Sequence, residues 1–317
     1  MTGADMDYCR REFARRFCGD DELQALLSAH DGPCMPDGDS AAAAVCALVE
    51  QKLRAREPLS LLRVGNGEGN AFSMLLPDPE PPRLRAFFSE FNSQNGLPAP
   101  LDDVVRFCRE VKDAYRAADI IGFRLFKFDE RAFIQMSIDK ANEYAALGLT
   151  YARESVKEGL TTGWLRGKFI TTAWLHLDLL QHVERLLDAA ESVIVISGRS
   201  ELQPAFAARL GARLTDFIAV PVQGFRPGDL AESHLYKDFP QVKDRLAQDL
   251  RGVLVLVGAG LFGKVYVARA RDNGAVAIDI GSAFDIFAGL KTRPVHAFIP
   301  CEDYYWLKPQ RDSGVAD

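Results

Sequence analysis

One stretch restricts the fold more than any other: RGVLVLVGAGLFGKVYVARARDNGAVAIDIGS, from Arg251 to Ser282. Val253 to Val257 form an unbroken aliphatic run, apolar on both faces, which belongs to a strand covered on both sides in a parallel sheet. Gly258, Gly260 and Gly263 follow in a G-x-G-x-x-G spacing, directly after that strand and at the start of a predicted helix, Leu261 to Arg271. Asn273-Gly274 ends the helix, and Ala275 to Ile280 form the next strand, with Asp279 near its carboxyl end. The first turn of such a βαβ unit offers backbone N–H groups and the positive end of a helix dipole to an anion. The same spacing also serves a tight turn and close helix–strand packing without any ligand.

Upstream, the alternation continues. Ser192–Ser197 and Phe217–Val222 read as strands, and Leu202–Leu210 and Pro240–Leu250 as helices. Strand and helix alternating in this way predict an α/β fold, a Rossmann-like doubly wound, mostly parallel sheet with helices on both faces. In the first half, Leu59–Val64 and Asp119–Phe123 read as strands. Asp7–Phe17 and Asp20–Ala29 read as peripheral helices; Leu84–Phe91, Asp102–Tyr115 and Phe133–Glu158 also read as helical. Gly167–Ala190 carries the longest apolar helical pattern, with Ile170, Ala173, Trp174, Leu177, Leu180, Val183 and Leu187. His176 and His182 lie on it, six positions apart, a spacing that cannot bind one metal as an i, i+4 pair would. After Pro300 the chain becomes aromatic and then polar, and Tyr304-Tyr305-Trp306 is expected to pack on the body.

Bulk properties exclude several classes. The 317 residues carry a net charge of −6, against the basic face of a nucleic-acid protein. No run of 18 apolar residues is present, and the N-terminal sequence lacks the apolar core of a secretory signal, so a cytoplasmic location is expected. The six cysteines include no C-x-x-C pair, which argues for scattered reduced thiols and against a zinc ribbon. Nucleophile-elbow, Walker A and H-E-x-x-H patterns are absent.

The chemistry is expected at the carboxyl ends of the strands, where open α/β sheets bind ligands. Gly65–Asn70, Gly198–Glu201, Gly224–Lys237, Gly258–Gly263 and Asp279–Asp285 are the loops that would meet there. They bring backbone N–H groups, the cations Arg63, Arg199, Arg226, Lys237 and Lys264, His234, and the carboxylates Glu68, Glu201, Asp279 and Asp285. Glycines beside cations and a few acids suit a phosphorylated ligand with a divalent ion. Candidate ligand-binding residues are Arg63, Gly65, Gly67, Gly258, Gly260, Gly263, Lys264, Asp279 and Ser282. Lys264 lies one residue after the last glycine, where a helix start can aim it at a phosphate. If an acceptor hydroxyl has to lose a proton, His234 and Asp285 are the available bases, His234 first because an unperturbed imidazole titrates near neutrality.

LLRVGNGEGN, from Leu61 to Asn70, resembles the strand-to-loop signature of the GT-D-type glycosyltransferases. In that signature an apolar strand, an Arg and a D-x-E triplet in a glycine loop occur together. VLVLVGAGLFGKVYVARARDNGAVAIDIGSAFD is similar to the family's second signature, a glycine turn, Lys, helix and D-I-G strand end. The resemblance implies a nucleotide-sugar donor and a divalent cation, Mn²⁺ or Mg²⁺, held by the D-x-E carboxylates. Carried over, Glu68 is the metal ligand, and Asn66 stands where the family has Asp. An Asn carbonyl ligates a hard cation with one negative charge fewer. It further implies three regions: an N-terminal helical extension (1–57), a GT-D-like catalytic domain (58–300) and a C-terminal tail (301–317). The expected function is transfer of a sugar, hexosyltransferase-like, to a glycan, lipid-linked or protein acceptor in bacterial surface polysaccharide or glycoconjugate synthesis. A homo-oligomer and peripheral membrane contact are compatible with it. Two other readings stay open: an NAD-dependent oxidoreductase, for which Asp279 would hold the ribose, and a non-catalytic relative that binds a nucleotide sugar, suggested by Asn66.

Overall fold

The structure is a computed structural model and describes residues 3–35, 38–77, 80–124, 143–222 and 233–307. The chain divides into two compact units, each assembled from segments distant in sequence. The first contains residues 1–41, 61–175 and 224–241; the second contains 42–60, 176–223 and 242–317.

Three parallel pairings build the sheet of the first unit. Strand β2 (Leu59–Arg63) pairs with β3 (Ile120–Phe123), β3 with β4 (Phe169–Thr172), and β4 with the two-residue β1 (Cys34–Met35). The helices are α1 (Gly3–Arg16), α2 (Asp20–Ser28), α4 (Asn66–Ser73), α5 (Pro81–Asn95), α6 (Leu101–Ala117) and α7 (Glu143–Thr162); α3 (Gly38–Ala55) runs from the first unit into the second. The N-terminal helices are not peripheral. Tyr8 and Cys9 of α1 are buried with Ala86, Leu147 and Tyr151 in one cluster, and the Arg16 guanidinium donates to Glu12 and Glu154. An apolar stripe of only a few residues is hard to see in so charged a helix, because long charged side chains dominate its sequence.

Helix α4 lies backbone to backbone against α7. A Cβ built on Gly69 would sit 1.7 Å from the Gly148 carbonyl oxygen, and one on Gly148 would sit 2.1 Å from that of Asn66. Only glycine at both positions permits this approach.

Two expectations fail here. The Gly167–Ala190 segment is no continuous helix: it opens with β4, passes through a turn of helix at Leu175–Asp178, and becomes helical again at Val183–Ala189. Ile170-Thr171-Thr172 is β-branched, and its pairing with β3 outweighs an apolar spacing that fits a helix equally well. The Gly65–Asn70 stretch is not a loop either, since α4 begins at Asn66. Of the expected helix over 133–158, residues 133–142 lie outside the described residues, and the rest falls in α7.

In the second unit the strands are β5 (Ser192–Ser197), β6 (Leu214–Ala219), β7 (Val253–Gly258) and β8 (Val276–Asp279). All pairs are parallel, in the order β8-β7-β5-β6. The first residues of β2 belong to this unit, and Leu59 N donates to Ala275 O just before β8. The aliphatic run at Val253 forms β7 as predicted, with Leu254, Val255, Leu256 and Val257 at most 1% exposed. Helix α8 (Gln203–Leu210) follows β5, and α9 (Gly260–Asp272) follows β7. From β5 the chain moves one way, to β6; from β7 it moves the other way, to β8. Right-handed crossovers therefore put α8 and α9 on opposite faces, and the strand order reverses between β5 and β7. Trp306 packs on this unit as expected of the tail, stacked on Phe287 at 4.3 Å.

Candidate functional site

At the reversal, Ser197 of β5 and Gly258 of β7 are register partners, so the chain leaves both strands level. The crevice at such a point is where parallel α/β sheets bind ligands, because the two following helices diverge to opposite faces. Gly260 takes φ +53°, a conformation that disfavours any side chain, and starts α9. A Cβ on Gly258 would strike the Phe284 ring at 2.4 Å and the Gly281 carbonyl at 2.9 Å. The glycine turn is thus seated directly on the turn that follows β8. Gly263 lets α9 pack on Val257.

Lys264 and Asp279 do not face a ligand as charges. They form an ion pair with each other, and their side chains are 4% and 6% exposed. Asp279 is thus a buried partner of Lys264, where a ribose-holding acid would stand open to its ligand. Arg199, one residue beyond Gly198 at the end of β5, donates from Nε to Asp285 Oδ1 at 2.6 Å. The Thr292 hydroxyl donates to the other carboxylate oxygen of Asp285. Asp285 is therefore held at both oxygens and orients Arg199. That places it as a support for a cation and leaves it poorly disposed as a base. The Arg199 side chain is 20% exposed, and its two Nη groups make no hydrogen bond among the described residues.

Ser282, half-buried after β8, carries a second polar cluster. Its Oγ lies 3.2 Å from Nε2 of His176 and 3.2 Å from Nε2 of His296. Both imidazoles are buried, and burial lowers the pKa of His296. Sequence reading singled out Ser282 and mentioned His176, and it passed over His296, which lies in a short 3-10 turn with no motif around it.

The first unit holds the other predicted residues. Arg63 ends β2 and donates from Nη1 to Ala173 O at 3.4 Å. Glu68 is nearly buried, and its Oε2 accepts the Gly65 N–H at 2.7 Å, the carboxylate half of a capping box on α4. Gly65 has an extended backbone, and a Cβ on Gly67 would touch only the Glu90 side chain, so neither position demands glycine. His234 is 2% exposed, its backbone N–H donates to Asn95 O at 3.0 Å, and burial lowers its ring pKa to about 3. The near-neutral titration that made it the first choice of base does not apply to it. Arg226 lies outside the described residues.

The donor set speaks to the implied ion. Glu68 already caps its own helix, Asn66 brings no charge, and no cluster of three His, Cys, Asp or Glu among the described residues is arranged for a metal. A hard divalent cation needs several oxygen ligands, chiefly carboxylates, or its substrate's phosphates. These residues do not fit a resident ion. A 730 Å³ open hollow in the first unit, bordered by Leu76, Val105, Arg109 and Arg116, is lined by none of the predicted site residues.

The model of the GT-D-like family, the GT-D fold-like domain, matches residues 40–287, most of the chain. The chain belongs to the GT-D-like family. The chain is similar to two solved structures, each at 10% identity and a TM-score of 0.45. One is described as a selenomethionine-substituted structure of domain of unknown function 1792, and the match covers 92% of this chain and 96% of that one. The other is described as a highly conserved domain of unknown function 1792 with a distinct glycosyltransferase fold, covered at 86% and 88%. No curated protein matches the sequence. The GT-D-like match begins ahead of β2 and ends at Phe287, so it takes in both stretches on which the resemblance rested, and it supports glycosyltransferase activity in general terms.

Proposed function

We propose that this GT-D-like protein transfers a sugar from a nucleotide-sugar donor to a glycan, lipid-linked or protein acceptor, with the donor's diphosphate at the carboxyl ends of β5 and β7. The observation that carries this reading is the level exit of the two strands at the reversal, with Gly260 opening α9 on one side and Arg199 on the other. As the sugar leaves, negative charge grows on the nucleoside diphosphate. The first-turn N–H groups of α9 and the Nη groups of Arg199 offset that charge, and Asp285 with Thr292 keeps the guanidinium aimed. Backbone and Arg donors are the groups that hold the diphosphate in this reading. A divalent ion arriving with the phosphates would add charge, but no step here depends on it. Glu68 contributes through the shape of α4 in its own unit. Glycoconjugate or surface polysaccharide synthesis, a hexose donor and a cytoplasmic location belong to this proposal. No described helix is long and apolar enough to cross a membrane.

The test is a melting-temperature panel with UDP-, GDP- and CMP-sugars and with NAD(H), each with and without Mn²⁺. A native-state ligand at 100 times its Kd stabilises by about 2.7 kcal/mol, a clear rise in melting temperature. A rise with one class of nucleotide sugar, persisting without Mn²⁺, is expected. A rise with NAD(H) alone would overturn the proposal.

A further inference from the structure

The Ser282 cluster has a donor count that decides what it can do. A serine hydroxyl has one proton to give and two lone pairs. Two imidazole Nε2 atoms stand 3.2 Å from that one oxygen, so at least one ring must donate to it. Nδ1 of His296 is buried and has no hydrogen-bond partner among the described residues. Orphaned buried N–H groups are rarer in folded proteins than under-satisfied acceptors, which favours a bare Nδ1. On that tautomer the proton of His296 is on Nε2 and is donated to Ser282 Oγ. With one lone pair so filled, the Ser282 hydroxyl is free to donate its proton to Nε2 of His176. In that arrangement one lone pair of Oγ remains uncommitted, on a residue that is only partly buried.

From this we infer that Ser282 takes the proton from the attacking acceptor hydroxyl and passes its own to His176, while His296 is a positioning residue that holds the hydroxyl in line. The inference rests on the sugar-transfer reading above and supplies its base. In the step, the acceptor oxygen forms a bond to the anomeric carbon. The bond from that carbon to the phosphate oxygen breaks, and the nucleoside diphosphate leaves with the electron pair. The acceptor proton moves to Ser282 Oγ as the Ser282 proton moves to His176 Nε2. Ser282 is again a hydroxyl, and His176 carries the added proton until solvent removes it. The location fits, because Gly281 just before Ser282 is the residue on which the Gly258 turn is seated. It also explains why neither base candidate read from the sequence has a suitable setting: His234 is walled in by the core, and Asp285 is tied at both oxygens.

The decisive experiment compares the same substitution at two geometrically equivalent histidines. A glutamine amide can donate to Ser282 as His296 does, and it cannot take up a proton as His176 must. Wild type, Ser282→Ala, His176→Gln and His296→Gln are each assayed twice. Binding is read as the melting-temperature shift with UDP and with GDP. Turnover is read as release of nucleoside diphosphate from UDP-glucose and from GDP-mannose, with water as acceptor. Ser282→Ala and His176→Gln should cut release by about 100-fold, the usual worth of a positioned proton acceptor, and keep the nucleotide shift. His296→Gln should retain release within about threefold, the reach of one neutral hydrogen bond. Equal effects of the two glutamines, full release by Ser282→Ala, or loss of the nucleotide shift in Ser282→Ala each overturn the relay. If His176→Gln fails to fold, Ser282→Ala decides. No shift and no release in the wild type would remove the sugar-transfer reading itself, and the relay with it.

Discussion

His234 is held neutral by burial, with a folded pKa of about 3 against an ordinary value near 6.5. The unfolded chain therefore binds one more proton than the fold at pH between those values. Stability is complete above pH 6.5 and falls as the pH drops toward 3, by about 2 kcal/mol from this group at pH 5. Denaturant titrations at pH 7.5 and 5 should show that loss, and His234→Asn should flatten it. The buried Lys264–Asp279 pair gives a second expectation. Asp279→Asn removes the carboxylate from a buried ion pair and should cost about 3 kcal/mol, while Lys264→Met combined with Asp279→Asn should recover much of it, as read by urea midpoints. These residues also mark where the sequence was hardest to interpret. Asp279 stands where a ribose acid belongs and Lys264 where a phosphate lysine belongs, and only three dimensions reveal that each is the other's partner. Glu68 has the residue type of a metal ligand and the contact of a helix cap, and the two look alike in one dimension.

Elements were easier to foresee where one physical signal dominated. The βαβ unit from Val253 to Asp279 matches its prediction closely, because an aliphatic run, a glycine turn and a periodic helix agree with each other. β4 is hard to foresee because Phe169-Ile170-Thr171-Thr172 is short and sits inside an apolar spacing that also fits a helix, and its choice depends on β3. The glycines of Gly65–Asn70 were assigned to ligand approach, yet Gly69 is where α4 meets α7. Gly69→Ala and Gly148→Ala should each destabilise by about 3 kcal/mol, at the upper end for overpacking, since the obstacle in both cases is backbone. Gly67→Ala should stay within about 1 kcal/mol, because only the end of the Glu90 side chain must give. Thermal melts of the three variants would expose the difference.

For the whole molecule, the parallel α/β class followed from the alternation of strands and helices, and the division into two interleaved units did not. Residues 42–60 belong to the second unit and 224–241 to the first, an exchange of segments that no local pattern records. The face of α1 that joins the core depends on Ala86, Leu147 and Tyr151, all remote in sequence. The position of the glycine turn after an apolar strand is legible in the sequence, and diphosphate binding depends on that turn together with Arg199. Isothermal titration of UDP and GDP against the wild type and Arg199→Ala tests it most directly. The wild type should bind, and Arg199→Ala should weaken binding at least about tenfold, the worth of a lost charge-assisted hydrogen bond, without a change in fold by circular dichroism. Equal affinity for both proteins would contradict it.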